Sequence, residues 1–356
     1  TNQAGKLMQV YRQALKSVGN SDPERKRALM VELAQLSEGS MDNPEKAIDS
    51  WKSILRADPT NTEATESLRR LYERTGKWNA LLDLIKDEVE KLPKEDSEGR
   101  IAGLLEVVEI YRDRLKLDVM VINTYNSILT IDPSNLPVLE ALAEKYRELG
   151  RWNDLIAVLG RKTQVEGVTQ ERRSELLAEI ASLWIDRFGN YAQAIKPLEE
   201  LVEIDPGNAE AVVRLKEIYT RRRQWRALIS LLGREAETMD VPARRIHFGD
   251  MARLAGEKLG DSRLSINIWN QVLELPGSTT EPDNIAPDAP AVYDALCTLY
   301  EREKRYLAVA EMLTRKRALA VTPEAALPVL ERLGALYADR IKAPGLAAKV
   351  YKEILA

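Results

Sequence analysis

The sequence predicts an all-α protein, a solenoid of stacked antiparallel helical hairpins, and three observations carry that prediction. Apolar residues recur at helical spacing along most of the chain, and no alternating Val- or Ile-rich stretch reads as a strand. The chain also repeats itself: DPTN begins at Asp58, DPSN at Asp132 and DPGN at Asp205, at spacings of 74 and 73 residues. Finally, 356 residues exceed the roughly 250–300 at which one compact core stops growing, so two domains or an open array are required. The period decides for the array. Residues 1–356 read as a single series of about nine hairpins behind a leading half-hairpin at 4–18.

Taken in order, residues 4–18 align with the second helix of a hairpin. The paired helices then run approximately over 24–56, 61–92, 97–130, 135–166, 170–203, 208–237, 242–275, 289–320 and 323–356. Two hairpin kinds alternate, one of them lengthened. In the long hairpin at 97–130, Leu104, Leu105, Val108 and Tyr111 make one stripe, and Val121, Ile122, Tyr125, Ile128 and Leu129 the next. In the short hairpin at 135–166, Val138, Leu142, Ala143 and Tyr146 make the first stripe, Gly150 ends that helix, and Leu155, Ile156 and Leu159 make the second. Gly76-Lys77-Trp78, Gly150-Arg151-Trp152, Arg223-Gln224-Trp225 and Lys304-Arg305-Tyr306 share one register. WKSIL from Trp51, YNSIL from Tyr125, LEELV from Leu198, WNQVL from Trp269 and YKEIL from Tyr351 share another.

Local chemistry explains the junctions. Proline has no amide hydrogen and cannot continue a helix, so Asp-Pro marks a stop, and the Asn two residues later can cap the next helix. Asn61, Asn135 and Asn208 are the expected caps. Neither end carries the polar cap with which solenoids normally finish. The stretch therefore reads as part of a longer array, with end-to-end contacts open to its terminal repeats and its oligomeric state undetermined.

Composition excludes several function classes. With 52 Lys+Arg against 56 Asp+Glu the net charge is −4, without the basic excess of a nucleic-acid or anionic-membrane binder. One cysteine, Cys297, and one histidine, His247, leave no internal disulfide and almost no soft metal ligands. No glycine-rich phosphate loop follows a strand, no H-E-x-x-H or C-x-x-C occurs, and no carboxylate pair is held at a catalytic separation. The expectation is a protein without catalysis, cofactor or metal. No stretch of about 18 apolar residues could span a bilayer, and residues 1–24 lack the apolar core of a signal peptide. A cytoplasmic setting is favoured, although a targeting segment could lie upstream of Thr1.

These residues resemble the tetratricopeptide repeat, a helix-turn-helix of about 34 residues. In the hairpin from Asn61, the residues Leu68, Tyr72, Gly76, Trp78 and Pro93 fit that family's Leu, Tyr, Gly, aromatic and Pro positions. Leu142, Tyr146, Gly150 and Trp152 repeat the match, and in the long hairpins Ala47, Trp51 and Pro59 fit its second-helix positions, with Ala194 and Ala348 repeating the small residue. Departures are Leu81, Leu155 and Leu228 in place of Ala, and Arg69 and Lys216 at the small first-helix position. The resemblance implies a right-handed superhelix with a concave groove for a partner protein or peptide. The subclass that clamps a terminal carboxylate places Asn where Arg70, Glu144, Glu217 and Thr298 stand here, so acidic-tail capture is not implied.

The resemblance nominates groove-facing first-helix residues as candidate partner contacts: Arg70, Arg74, Glu144, Arg147 and Glu217. The basic run from Arg214 to Arg226 adds Arg221, Arg222 and Arg226; it could meet an acidic peptide, or it is a solvated helix end complementing the dipole. A Pro-rich segment, PGSTTEPDNIAPDAPA over 276–291, reads as an inserted loop and contributes Asp283 and Asp288. Trp78, Trp152 and Trp225 could anchor a ligand, but recurrence at the repeat period favours packing. His247 has no neighbouring His or Cys in sequence, and Cys297 falls at the small inward position of Ala143, where an inert thiol is expected. The leading expectation is a protein-protein interaction scaffold, with a distance-setting spacer in a long repeat protein as its rival. An RNA-reading helical repeat is the third reading, disfavoured by the mixed charge.

Overall fold

The computed structural model describes residues 2–18, 22–39, 44–276 and 289–355, and the described residues group into two compact units, 1–169 and 170–356. The first unit holds α1 (Asn2–Val18), α2 (Pro23–Gly39), α3 (Pro44–Ala57), α4 (Thr62–Thr75), α5 (Trp78–Lys91), α6 (Ser97–Glu109), α7 (Asp118–Ile131), α8 (Leu136–Glu148) and α9 (Trp152–Lys162). The second holds α10 (Gln170–Asp186), α11 (Tyr191–Ile204), α12 (Ala209–Arg221), α13 (Trp225–Glu237), α14 (Val241–Arg253), α15 (Ser262–Glu274), α16 (Ala289–Arg302), α17 (Tyr306–Ala318), α18 (Pro323–Ala335) and α19 (Pro344–Leu355). Within each unit, every helix packs on its predecessor and successor in the chain, as in a stack of hairpins. The predicted helix pairs match these elements to within a few residues. Of the expected 276–291 loop, residues 277–288 lie outside the described residues, and Ala289–Ala291 belong to α16.

Short-range hydrogen bonds set the turns. Asn61, Asn135 and Asn208 each accept the amide of the residue three ahead, at 2.8, 3.2 and 3.1 Å, as N-caps. Asp58, Asp132 and Asp205 accept the amide two residues on, at 3.1, 3.0 and 3.2 Å, so each DPxN motif is an Asx turn feeding a cap. Hydrogen bonds from the Thr60 hydroxyl and amide hold the Asp58 carboxyl below the ordinary range.

The first helix of each short hairpin ends at a left-handed residue: Gly76, Gly150, Arg223 and Lys304. The amide after it donates to the carbonyl five residues back, which is always a tyrosine: Tyr72, Tyr146, Tyr219 or Tyr300, at 2.8–2.9 Å. Four long hairpins close differently. Their left-handed residues are Lys116, Gly189, Gly260 and Lys342, and the next amide reaches six residues back, to Tyr111, Trp184, Ala255 and Tyr337. In three of them the extra residue is absorbed by a π-helical end, Ile110–Leu115, Leu254–Lys258 or Leu336–Arg340. The wider turn accounts for one residue of the lengthening seen in the sequence, and a longer first helix for more, with 17 residues in α10 against 13 in α8 and α12.

The cores form from the predicted stripes. Leu68, Leu142, Leu215 and Leu296 are at most 1% exposed, and full burial of such a side chain stabilises by about 1.5–3 kcal/mol. Leu81, Leu155 and Leu228 are buried where the resemblance implies Ala, so the second helices carry larger knobs than that family does. Two expectations are corrected. Leu105 is 38% exposed, because the buried face of α6 runs through Val107 and Val108. The small second-helix position of the last hairpin is Ala347, which is buried, since it precedes Tyr351 by the same four residues that separate Ala47 from Trp51; Ala348 is exposed.

Candidate partner-binding surface

Arg70 and Arg74 lie on α4, and Glu144 and Arg147 on α8. Arg70 reaches Ser67 Oγ at 3.0 Å and Glu38 at 3.5 Å, while Glu144 pairs with Arg147 at 2.5 Å along its own helix. Arg70 and Glu144, both candidate partner contacts, thus each have a local partner. In the second unit Glu217, Arg221, Arg222 and Arg226 are exposed. The basic run does not form one patch. Arg214 pairs with Glu210 at 2.7 Å, Lys216 with Glu235 at 2.5 Å and Arg226 with Asp261 at 3.8 Å, while Arg221 stacks 4.5 Å from the Tyr191 ring centre. Helical spacing sends consecutive cations to different faces, and Arg223 takes the left-handed turn. Asp283 and Asp288 lie outside the described residues.

The tryptophans divide by register. Trp51 and Trp269 are core, whereas Trp78, Trp152 and Trp225 are half-buried. Trp78 borders a cleft of 560 Å³ that the sequence reading missed. Its walls come from α4, α5, α6 and the π-helical turn at Ile110–Leu115, whose extra residue carries Asp113 and Arg114 to the rim. Leu81, Ile85 and Ile110 supply apolar lining; Arg69 and Arg114 face Glu73, Glu106, Glu109 and Asp113. The Arg114 guanidinium stacks 4.9 Å from the Trp78 ring centre. Arg69 bridges Glu88 at 2.5 Å and Glu106 at 2.6 Å; burial works against its charge, but these hydrogen bonds outweigh it and raise its pKa. The Arg112 hydrogen bond likewise holds the Asp113 carboxyl below its usual range. Among the described residues, Glu73 and Glu109 have no cation at ion-pair distance, which leaves the cleft with negative charge to spare. Trp78 and Arg69 were visible in the sequence separately; only the fold brings them to one cleft.

The remaining flagged residues resolve structurally. His247 Nε2 lies 2.8 Å from Glu235 Oε2, and the same carboxylate meets Lys216, a partnership hidden from sequence because it spans α12, α13 and α14. Cys297 is fully buried, and burial pushes its thiol up to about 11, as expected of an unreactive packed residue.

No family model matches the chain, and no curated protein matches it. Solved structures similar to it include the MamA protein, 18% identical over 49% of this chain and 90% of that one, with a TM-score of 0.26. Another is a protein of nearly identical TPR-like repeats from Podosopora anserina, 20% identical over 52% of this chain and 95% of that one, TM-score 0.26. A third is a tetratricopeptide repeat protein from Parabacteroides merdae, 15% identical over 86% of this chain and 97% of that one, TM-score 0.23. The hairpins themselves define the class: among the described residues, an all-α protein of stacked antiparallel helical hairpins.

Proposed function

We propose that this chain is a non-catalytic scaffold that captures a partner protein on the exposed faces of its hairpins, and that the Trp78 cleft is one capture point. The cleft itself supports this reading, because it pairs apolar lining and a half-buried indole with the unpaired carboxylates Glu73 and Glu109. Such a cleft suits a partner segment carrying Lys or Arg, whose alkyl stem covers the apolar lining while its head meets the carboxylates. Arg70, Arg74, Glu144, Arg147, Glu217, Arg221, Arg222 and Arg226 are proposed as supporting contacts on the first helices, with charge setting encounter rate more than affinity. Among the described residues no helix is long and apolar enough to cross a membrane.

The test is cross-linking and affinity capture with the whole chain, followed by Glu73→Lys with Glu109→Lys, and separately Trp78→Ala. A specific partner should lose affinity by roughly tenfold or more in each variant, the scale of a lost interface anchor, with helical circular dichroism unchanged. Recovery of a partner indifferent to all three substitutions places capture elsewhere. Recovery of no partner favours the spacer reading.

A further inference from the structure

Three groups of consecutive helices, each inside one unit, repeat the arrangement that builds the Trp78 cleft. They are α4, α5 and α6 in the first unit, and α12 to α14 and α16 to α18 in the second. The left-handed turn residues fix the register: Gly76, Arg223 and Lys304 correspond, as do Lys116, Gly260 and Lys342. Counted from these, Trp78 matches Trp225 and Tyr306, and Arg114 matches Lys258 and Arg340. Arg340 lies 5.9 Å from the Tyr306 ring centre, as Arg114 lies 4.9 Å from that of Trp78. The cation over the ring therefore recurs and belongs to the fold's own turn.

The carboxylates are what differ. Glu106 and Glu109 on α6 stand in the registers of Asp250 and Arg253 on α14, and of Arg332 and Ala335 on α18. Each second-unit group thus has an arginine in one of these two places, spent on a carboxylate of its own group: Arg253 on Asp250 at 2.5 Å, and Arg332 on Glu301 at 2.8 Å. Glu301 holds the register of Glu73. In the first unit both places hold glutamate. Glu106 takes Arg69 at 2.6 Å, whereas Glu73, unlike Glu301, faces no arginine from the next hairpin. The cleft lacks a guanidinium that the same arrangement elsewhere supplies from within.

The chemistry favours arginine over lysine for that vacancy. A guanidinium presents five N–H donors in a planar fork and can serve two carboxylates at once, while an ammonium is a compact, strongly hydrated point charge. Arg69 shows this in the same cleft, holding both Glu88 and Glu106. The 560 Å³ volume admits a further side chain, and the apolar lining receives its methylene stem. We infer that the Trp78 cleft selects an arginine side chain of the partner over a lysine, its guanidinium taking at Glu73 and Glu109 the role that Arg332 plays at Glu301. This deepens, and rests on, the reading of the cleft as a capture point.

The probes are N-acetyl-arginine methylamide and its lysine and citrulline counterparts, titrated at millimolar concentration into the whole chain. The readout is the Trp78 indole N–H resonance, assigned by Trp78→Phe. The arginine probe should shift it saturably, with the lysine probe roughly fivefold weaker or worse and the uncharged citrulline probe without effect. Glu73→Gln with Glu109→Gln should abolish the response. So should Arg69→Cys, Glu88→Lys and Glu106→Arg combined, which installs the α16 to α18 set and places an arginine on Glu73. Glu66, in the register of Asp294, is already present to take the new lysine as Asp294 takes Lys316. The inference is overturned if no probe binds, if lysine binds as well as arginine, or if either variant, with helical circular dichroism intact, still binds the arginine probe. Should the triple variant not fold, the Gln variant alone decides. Partner capture that needs Glu73 and Glu109 without arginine selectivity ends this inference and leaves the capture reading standing; arginine selectivity with capture indifferent to the cleft does the reverse.

Discussion

At the scale of single residues, the sharpest contrast is between glycine and cation at one backbone position. Gly76, Gly150, Arg223 and Lys304 share the left-handed conformation with φ of 68, 65, 54 and 58°, a region that penalises any residue with a Cβ. Space is not the issue at Gly150, where an added Cβ would meet its nearest neighbour at 3.9 Å. Gly150→Ala is therefore expected to cost about 1 kcal/mol by conformation alone, and Arg223→Gly to be neutral or stabilising by up to about 1 kcal/mol, since relieved strain outweighs unfolded-chain entropy. Urea denaturation of both variants decides; an Arg223→Gly loss as large as that of Gly150→Ala would sink the argument. This position could be read from sequence, as could the Asn caps, because their hydrogen bonds close within six residues. The Glu235–His247 contact could not, since nothing local ties residues on different helices.

Among elements, two solutions to one packing problem alternate along the chain. Where the small first-helix position holds Arg69 or Lys216, the facing second-helix residue is Glu88 or Glu235, and the two form an ion pair. Where it holds Ala143 or Cys297, the facing residue is Lys162 or Lys316, which turns to Glu140 or Asp294 three residues earlier on the first helix. What looks in sequence like a departure from the family pattern is thus half of a compensated charge exchange. Lys162→Glu alone would set a carboxylate beside Glu140 in a place where the lysine is nearly buried, and should cost about 1–3 kcal/mol, the scale of a buried polar group left without its partner. Adding Ala143→Lys rebuilds the arrangement of Lys216 and Glu235, so the double variant should recover at least half of the loss. A double-variant cycle by denaturant unfolding measures this, and purely additive losses would refute the exchange.

For the whole molecule, the described residues form two units, each with buried leucine, tyrosine and tryptophan of its own. In the second unit a continuous core runs from Leu177 to Val350. Each unit, 1–169 or 170–356, should consequently fold when expressed separately and unfold cooperatively, because helical repeats are stabilised by nearest-neighbour interfaces that both contain in series. Calorimetry of the separate units checks this; a segment 170–356 without a cooperative transition would contradict it.

The sequence by itself determined the repeat period, the helix pairs, the Asn caps and most of the stripes that the helices bury, with α6 and the last hairpin as the exceptions. All of these depend on spacing and on contacts within a few residues, so a pattern in the chain suffices to reveal them. Only the tertiary structure decided which charges are spent on one another and which remain available. It gave Arg214, Lys216, Arg221 and Arg226 of the basic run separate local partners and assembled the Trp78 cleft from three helices and a π-helical turn. Those outcomes depend on the angular position of each side chain around its helix and on which neighbour it meets there, and periodicity does not encode the neighbour.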